Sequence, residues 1–168
     1  RKRNRVKTIY SSLRIEGSTL TEEQITAIID KKRVIGPKED ILEVRNAIEV
    51  YDHLEQYDPY SAASFLSAHG VLMKGLIEKP GRYRTENVGI LQGDKVAHLA
   101  PPAGNVDYLM NELFTYLKKS DDLLLIKSCV FHYEVEFIHP FLDGNGRMGR
   151  LWQSVILSRE YPVFTYLP

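Results

Sequence analysis

The sequence predicts an all-α fold, a helical bundle around a central buried helix with one small β-hairpin. Apolar residues recur at helical spacing along most of the chain, and the stretch 122–138 is apolar almost all round. Only residues 81–102 carry short β-prone segments broken by glycine and proline. With 168 residues, of which 43% are hydrophobic, the chain is long enough for one domain with a real core, and a second full domain is not expected.

Two helices are predicted in the first third of the chain. The segment 21–32 opens with Thr21 and Gln24 at the spacing of a capping box, in which two side chains satisfy free amides at a helix start. The segment 39–57 places apolar residues on one helical face and ends before Pro59, because proline disfavours a helical residue ahead of it. Each segment therefore carries at least one end signal of a helix.

The middle of the chain predicts a helix, the hairpin and a second helix. Residues 61–77 have helical spacing, and the two β-prone segments that follow flank a turn at 93–94. Residues 106–117 carry a clear apolar stripe, with Asn105 as the expected N-cap. The buried helix 122–138 comes next and ends where proline forces the chain out of helical geometry.

Charge and cysteine content exclude several classes of protein. Twenty-two basic residues balance twenty-two acidic ones, so no global field attracts nucleic acid or a membrane surface. Cys129 is the single cysteine, which excludes a disulfide framework within the chain and fits the cytoplasm. No apolar run approaches the roughly 20 residues of a membrane span. We expect a cytoplasmic protein without direct nucleic-acid or membrane binding and, since it starts without Met and ends on apolar residues, a fragment of a longer chain.

Residues 139–150, HPFLDGNGRMGR, form a loop that opens the last predicted helix. A helix N-terminus has unpaired amides and the positive end of the helix dipole, and glycines let an anion approach that backbone. Arg147 and Arg150 lie on one side of the new helix, although cations are usually favoured at the opposite end. These features favour an anion site over the alternative, a surface turn with solvated arginines.

Two more side chains of the loop add chemistry to the anion site. Asp143 would repel a polyphosphate unless a divalent cation bridged them, and magnesium typically binds one or two carboxylates plus substrate phosphates. His139 can accept a proton near neutral pH, as catalysis at a hydroxyl requires. Together they indicate nucleotide transfer to a hydroxyl.

The loop resembles the HPFx(D/E)GNGRxxR signature of Fic-domain proteins, without a gap or substitution. The order of predicted elements is similar to the Fic core over most of the chain, so the resemblance implies the Fic fold. It implies that His139 deprotonates a hydroxyl of a target protein, which attacks the α-phosphate of ATP and retains AMP, and that Asp143 holds Mg2+. It further implies phosphate contacts by Gly144, Asn145, Gly146, Arg147 and Arg150.

Gly146 bears on which group is transferred. Doc-type kinases resemble the same motif but carry lysine at this position, so the glycine favours AMP transfer. Phe141, in the same loop, is expected to be a core anchor that aims the loop.

A second resemblance lies upstream, in residues 12–17. The sequence SLRIEG is similar to the (S/T)xxxE(G/N) inhibitory motif of one class of Fic proteins, with Ser12, Glu16 and Gly17 at the fixed positions. The resemblance implies that Glu16 pairs with Arg150 and occupies the guanidinium that the γ-phosphate needs.

The same family assigns a role to the hairpin and a division to the chain. The hairpin is expected to be a flap that clamps the target by main-chain hydrogen bonds, with an ordinary stabilising hairpin as the alternative. Its first strand, near the nucleotide, comprises Val88, Gly89, Ile90 and Leu91. We expect an N-terminal inhibitory helix and connecting helix in 1–36 and a Fic core in 37–168, truncated at its C-terminus.

His132, Glu136 and His139 form a competing candidate, a zinc site on one face of a continuous helix. Pro140 makes that helix end at His139, and Fic proteins show a similar HxxxE approach to their motif. A packing role for His132 is therefore favoured, and the other histidines carry no sequence signal of function.

The sequence thus predicts a magnesium- and ATP-dependent protein adenylyltransferase that its own N-terminal helix inhibits. Three alternatives stay open: another nucleotidyl or phosphoryl transferase, removal of AMP with Glu16 positioning water, and a catalytically silent peptide-binding module. The target protein, its modified hydroxyl and the oligomeric state stay open as well, a homo-oligomer included.

Overall fold

The computed structural model describes residues 2–92 and 95–165, and within them it confirms the predicted all-α fold with one hairpin. These described residues form seven α-helices: α1 Lys2–Ile15, α2 Glu22–Ile29, α3 Lys38–Asp52, α4 Ala62–Leu72, α5 Val106–Lys119, α6 Leu124–Ile138 and α7 Asn145–Ser158. The strands β1 Gly89–Gln92 and β2 Lys95–Leu99 lie between α4 and α5.

The core is built around Phe65 of α4. Its ring contacts Phe114 of α5, Phe131 of α6 and Trp152 of α7, with ring centroids 5.0 to 5.9 Å apart. The fourth neighbour is Phe141 of the loop before α7, at 5.4 Å. Because Phe141 is fully buried, it fixes that loop to the core, as the sequence predicts.

The most enclosed helix is α7 rather than α6. Helix α6 buries one face, through Phe131, Val135 and Ile138, but its opposite face leaves large apolar side chains in solvent. These exposed side chains are Leu125, Ile126, Tyr133 and Phe137. Helix α7 packs against α1, α4 and α6, so most of its circumference is covered. Uniform apolarity therefore misidentified the central helix, because composition does not say how many neighbours a helix has.

The helix starts match the expected signals in one case and differ in another. Thr21 and Gln24 form the complete capping box of α2. Asn105 lies at the N-cap of α5, but its side chain makes no capping hydrogen bond, because a short 3-10 turn, Ala103–Asn105, leads into the helix.

The hairpin is antiparallel and pairs Gly89 with Leu99 at its base. Its register shifts between Ile90 and Leu91, as at a β-bulge. The predicted turn at 93–94 lies outside the described residues.

Helix α1 packs on α2, α3 and α7. Its residues Val6, Ile9 and Leu13 are buried in the same core as the later helices. The division of the chain at residue 36 stays a prediction. None of the helices in the described residues has the length and apolarity that crossing a bilayer requires.

Candidate active site

The loop between α6 and α7 begins with an unusual backbone conformation at His139. Its φ of 50° and ψ of 60° are left-handed, a conformation that costs a residue other than glycine about 1 to 3 kcal/mol. The amide of His139 still donates to the carbonyl of Val135 at 2.9 Å, so the side chain projects from the very end of α6. The surrounding structure has to hold this conformation in place.

Arg84 contributes to that support. Its buried guanidinium donates to the carbonyl of His139 at 2.7 Å and to that of Ile138 at 3.2 Å. It also donates to the carbonyls of Glu86 at 2.7 Å and Pro101 at 2.6 Å, which lie on the two sides of the hairpin. One cation thus joins the end of α6 to both ends of the hairpin, where helix carbonyls favour positive charge.

Asn145 closes the loop on itself. Its side-chain oxygen accepts from the amide of Phe141 and its side-chain nitrogen donates to the carbonyl of Phe141, both at 2.9 Å. Because Phe141 is anchored in the core, this pair of bonds fixes the distance between the start of the loop and the start of α7. The Asn145 side chain is therefore structural, and its backbone amide is the part that faces the helix end.

His69 of α4 packs flat against the ring of Phe141, with centroids 3.6 Å apart and planes 4° apart. Its Nδ1 accepts from the amide of Gly81 at 2.8 Å, so its Nε2 donates to the carbonyl of Asp143 at 3.0 Å. Burial lowers the pKa of His69 to about 4. The ring is therefore neutral at physiological pH, with one fixed tautomer that holds the carbonyl of Asp143 inward.

The N-terminus of α7 is shaped to receive an anion. Gly144 is the N-cap, with a φ of 87°. A Cβ at Gly144 would lie 2.8 Å from Sδ of Met73, so only glycine fits without displacing a core side chain. The first amides of any helix lack partners within the helix, and in the described part of the chain no side-chain cap is formed at this helix start. Those of Asn145, Gly146 and Arg147 are thus available to an acceptor, as the sequence predicts for an anion site.

Arg150 of α7 is held by the end of α1. Its Nη2 donates to Oε1 of Glu16 at 2.5 Å and to the carbonyl of Ser12 at 3.1 Å, and its Nε donates to Oγ of Ser12 at 3.0 Å. The side chains of Arg150 and Glu16 are 23% and 30% exposed. A Cβ on Gly146 would lie 2.8 Å from Oε1 of Glu16. The carboxylate of Glu16 therefore lies against the first turn of α7, and we call this contact of Ser12, Glu16 and Arg150 the latch.

Gly17 lies in the turn after α1, with a φ of 95°. Apart from its chain neighbours, no described atom lies within 4 Å of where its Cβ would be. Glycine is therefore favoured there by the positive φ and not by lack of space.

Arg147 contacts two carboxylates, although the sequence predicts that it contacts phosphates. Its side chain is only 6% exposed, and it donates from Nη1 to Glu43 of α3 at 2.5 Å and from Nη2 to Asp143 at 2.8 Å. Both terminal nitrogens are therefore occupied by carboxylates. The sequence did not predict the contact with Glu43, because Glu43 is 104 positions away in the chain and local spacing cannot show such a pair.

Asp143 offers a carboxylate to the outside. Its Oδ1 accepts from the amide of Gly144 at 2.6 Å and from Arg147, while its side chain remains 55% exposed. A single exposed carboxylate beside an anion-accepting helix end fits the magnesium mode in which one or two carboxylates join substrate phosphates.

The predicted flap residues are only partly described. Val88 is half-buried and Gly89 is exposed at the start of β1. The side chains of Ile90 and Leu91 lie outside the described part of the structure. Through Arg84, the ends of this hairpin are tied to the backbone of His139.

The candidate zinc trio is not assembled as one face of a helix. His132 lies 3.6 Å from Glu136, and its Nδ1 lies 3.1 Å from Oε1 of Gln153. His139 departs from the helix into the left-handed conformation. Across residues 2–92 and 95–165, no three His, Cys, Asp or Glu side chains are grouped as a metal site would need.

Comparison with known proteins adds a family match. The Fic/DOC family model matches residues 59–157. A protein adenylyltransferase Fic of Nematostella vectensis is 29% identical over 90% of this chain and 37% of its own length. The one of Drosophila melanogaster is 28% identical over 92% of this chain and 32% of its own length. The chain thus spans about a third of these curated relatives.

Solved structures agree in fold. A Fic family protein from Desulfovibrio desulfuricans G20 is 51% identical, with a TM-score of 0.94 over 99% of this chain and 51% of that one. Residues 134–508 of Fic-1 from C. elegans are 23% identical with a TM-score of 0.79, over 92% of this chain and 48% of that one. The second likeness concerns the fold alone.

Proposed function

Because the chain belongs to the Fic/DOC family, we propose that it transfers AMP from ATP to a hydroxyl side chain of a target protein. The observation that carries the proposal is the content of one short loop. Residues 139–150 bring His139, the exposed carboxylate of Asp143 and the uncapped N-terminus of α7 together on a rigid support. The names of the curated relatives support the same activity.

The proposed reaction assigns a step to each of these groups. A ring nitrogen of His139 takes the proton of the target hydroxyl, and the hydroxyl oxygen attacks the α-phosphorus of ATP. The bond from the α-phosphorus to the β-phosphate oxygen breaks, so AMP stays on the target and pyrophosphate leaves. The amides of Asn145, Gly146 and Arg147 bind phosphate oxygens, Gly144 lets them approach the backbone closely, and Arg150 binds the terminal phosphate. Asp143 would hold Mg2+, which would supply positive charge beside the phosphates.

The proposal gives the hairpin and the N-terminal segment separate tasks. The strand 88–91 receives the target in extended form, and its edge supplies main-chain hydrogen bonds. The segment 1–36 carries the latch. In this arrangement Glu16 neutralises Arg150 and places negative charge against the helix end where phosphate should bind. The proposed enzyme is therefore inhibited by its own chain.

Replacing Glu16 with glycine tests both parts of the proposal. We expect AMP transfer to rise by roughly tenfold to a hundredfold, because a hydrogen bond to a charged group contributes about 1.5 to 3 kcal/mol and each 1.4 kcal/mol is tenfold. The measurement is incorporation of label from ATP labelled at the α-phosphate into protein. Label from the γ-phosphate on protein would instead identify a phosphoryl transferase.

Two controls separate the causes of such a gain. Ile15→Gly introduces the same backbone freedom one residue earlier, at a side chain that is 68% exposed, and should leave transfer low. The double variant Glu16→Gly, His139→Ala should lose roughly 10²- to 10⁴-fold relative to Glu16→Gly alone. An equal gain in Ile15→Gly would remove the inhibitory role of the carboxylate, and full activity without His139 would remove the assigned base.

A further inference from the structure

Arg147 lies in an internal cluster of charges rather than at the surface. Its guanidinium is placed between Glu43, which reaches in from α3, and Asp143, which belongs to the loop. The side chains of Arg147 and Glu43 are 6% and 16% exposed, whereas that of Asp143 is 55% exposed. The cation and one acid are thus internal, and only the second acid reaches solvent.

The charges of this cluster do not cancel. One guanidinium faces two carboxylates, so one negative charge is left over. Glu43 is the less exposed acid and is bonded to nothing but Arg147 among its described hydrogen bonds, so the guanidinium neutralises it first. The surplus charge therefore resides on Asp143, at the surface.

The same contacts fix the direction of Asp143. Its Oδ1 accepts both from Arg147 and from the amide of Gly144, which leaves Oδ2 to meet a ligand from outside. Without Glu43, Arg147 would be paired with Asp143 alone, and the guanidinium would both neutralise that carboxylate and be free to draw it inward.

We propose that Glu43 is a positioning residue for the metal ligand. By pairing with Arg147 it keeps the charge and the outer oxygen of Asp143 available to a divalent cation. This inference rests on the proposed function, since it concerns the magnesium ion that accompanies ATP. Glu43 lies outside residues 59–157, to which the family model applies, and the inference follows from the contacts of this chain.

The test measures binding rather than turnover. In the Glu16→Gly background, an ATP analogue with carbon in place of the α,β-bridging oxygen is titrated by calorimetry at a series of Mg2+ concentrations. Adding Glu43→Gln should raise the Mg2+ concentration at half-maximal binding about tenfold or more, because partners of metal ligands typically contribute 10- to 100-fold to metal affinity. Binding of the analogue without Mg2+ should not weaken, because Arg147 then neutralises Asp143, whereas a general loss of structure would weaken it.

Matched variants make the result decisive. Glu39→Gln removes the same charge from the same helix at an exposed position and should leave the Mg2+ requirement unchanged. Asp143→Ala should shift it at least as far as Glu43→Gln does. Should Glu43→Gln unfold in a thermal scan, Glu43→Asp retains the charge with a shorter reach and is expected to give an intermediate shift.

Either of two outcomes overturns the inference: an unchanged Mg2+ requirement in a folded Glu43 variant, or an equal shift in Glu39→Gln. Neither depends on AMP transfer. A Glu16→Gly protein that binds the analogue with Mg2+ but labels no protein would contradict the proposed function and leave the role of Glu43 standing.

Discussion

At the scale of single residues, His69 shows how a neutral side chain can hold a charged loop. Both ring nitrogens are used, one as acceptor and one as donor, and the ring covers Phe141. A charged imidazole would lose the bond from the amide of Gly81 and would be buried. The low pKa of His69 therefore follows from its buried position between Gly81 and Asp143.

The lowered pKa of His69 predicts how the free energy of unfolding depends on pH. Burial lowers the pKa of His69 from 6.5 to about 4, so between these values the unfolded chain binds a proton that the folded chain does not. The contribution of His69 to the free energy of unfolding is fully present above pH 6.5. It decreases by about 3 kcal/mol as the pH falls towards 4. Urea unfolding of the wild type and of His69→Gln from pH 7 to 4 should show the variant losing less on acidification. The exposed His53 provides the control, His53→Gln, and parallel curves for His69→Gln would contradict the argument.

The residues that the sequence identified and those that it missed differ in kind. The loop 139–150 is contiguous, so its spacing alone indicated a helix start with an anion site. The partner of Arg147 is 104 positions away and that of Asp143 is a histidine 74 positions away. Glu43 and His69 are ordinary residues on amphipathic helices, and only tertiary packing shows what they contact.

At the scale of elements, the hairpin and the end of α6 form one mechanical unit through Arg84. Since the guanidinium satisfies four carbonyls, its removal leaves one buried and three part-buried acceptors without this donor. Each such group costs about 1 to 3 kcal/mol. The geometry of His139 and the placement of the hairpin should therefore change together.

We expect Arg84→Met to lower the free energy of unfolding by about 2 kcal/mol or more. Hydrogen exchange should show the segments 86–89 and 138–141 losing protection together. The control is Arg82→Met, two residues earlier and exposed, which should stay near wild type in denaturant titration. Loss of protection in one of the two segments alone would mean that Arg84 does not couple them.

The helices also show where apolar periodicity is sufficient to predict which face is buried. Helix α5 has a one-sided apolar stripe, so its existence and its inner face could be predicted. Helix α6 is apolar on both sides, and its outer face is exposed in this structure. Helix α7 carries buried polar residues such as Asn145 and Arg147, which made it look less internal than it is.

At the scale of the whole molecule, α1 is attached to the core independently of the latch. Val6, Ile9 and Leu13 are 5%, 0% and 2% exposed, so the helix is held by apolar packing ahead of Glu16. We therefore expect Glu16→Gly to keep hydrogen-exchange protection of residues 6–13 at the wild-type level.

By contrast, Ile9→Ala should lower the free energy of unfolding of the entire domain by about 2 to 5 kcal/mol, as core truncations do. Loss of hydrogen-exchange protection of residues 6–13 in Glu16→Gly would instead show that the latch is needed to keep α1 on the core.

The contact between Gly146 and Glu16 also bears on how such a chain can change by mutation. A Cβ at position 146 would lie 2.8 Å from Oε1 of Glu16 and 3.0 Å from Nη1 of Arg150, so a side chain there would crowd the latch. Positions 16 and 146 are far apart in the sequence, yet a substitution at either one alters the same contact. Under the proposed function, a genetic screen for toxic gain of activity should recover changes at Glu16 rather than at Gly146, because Gly146 also contributes to phosphate binding.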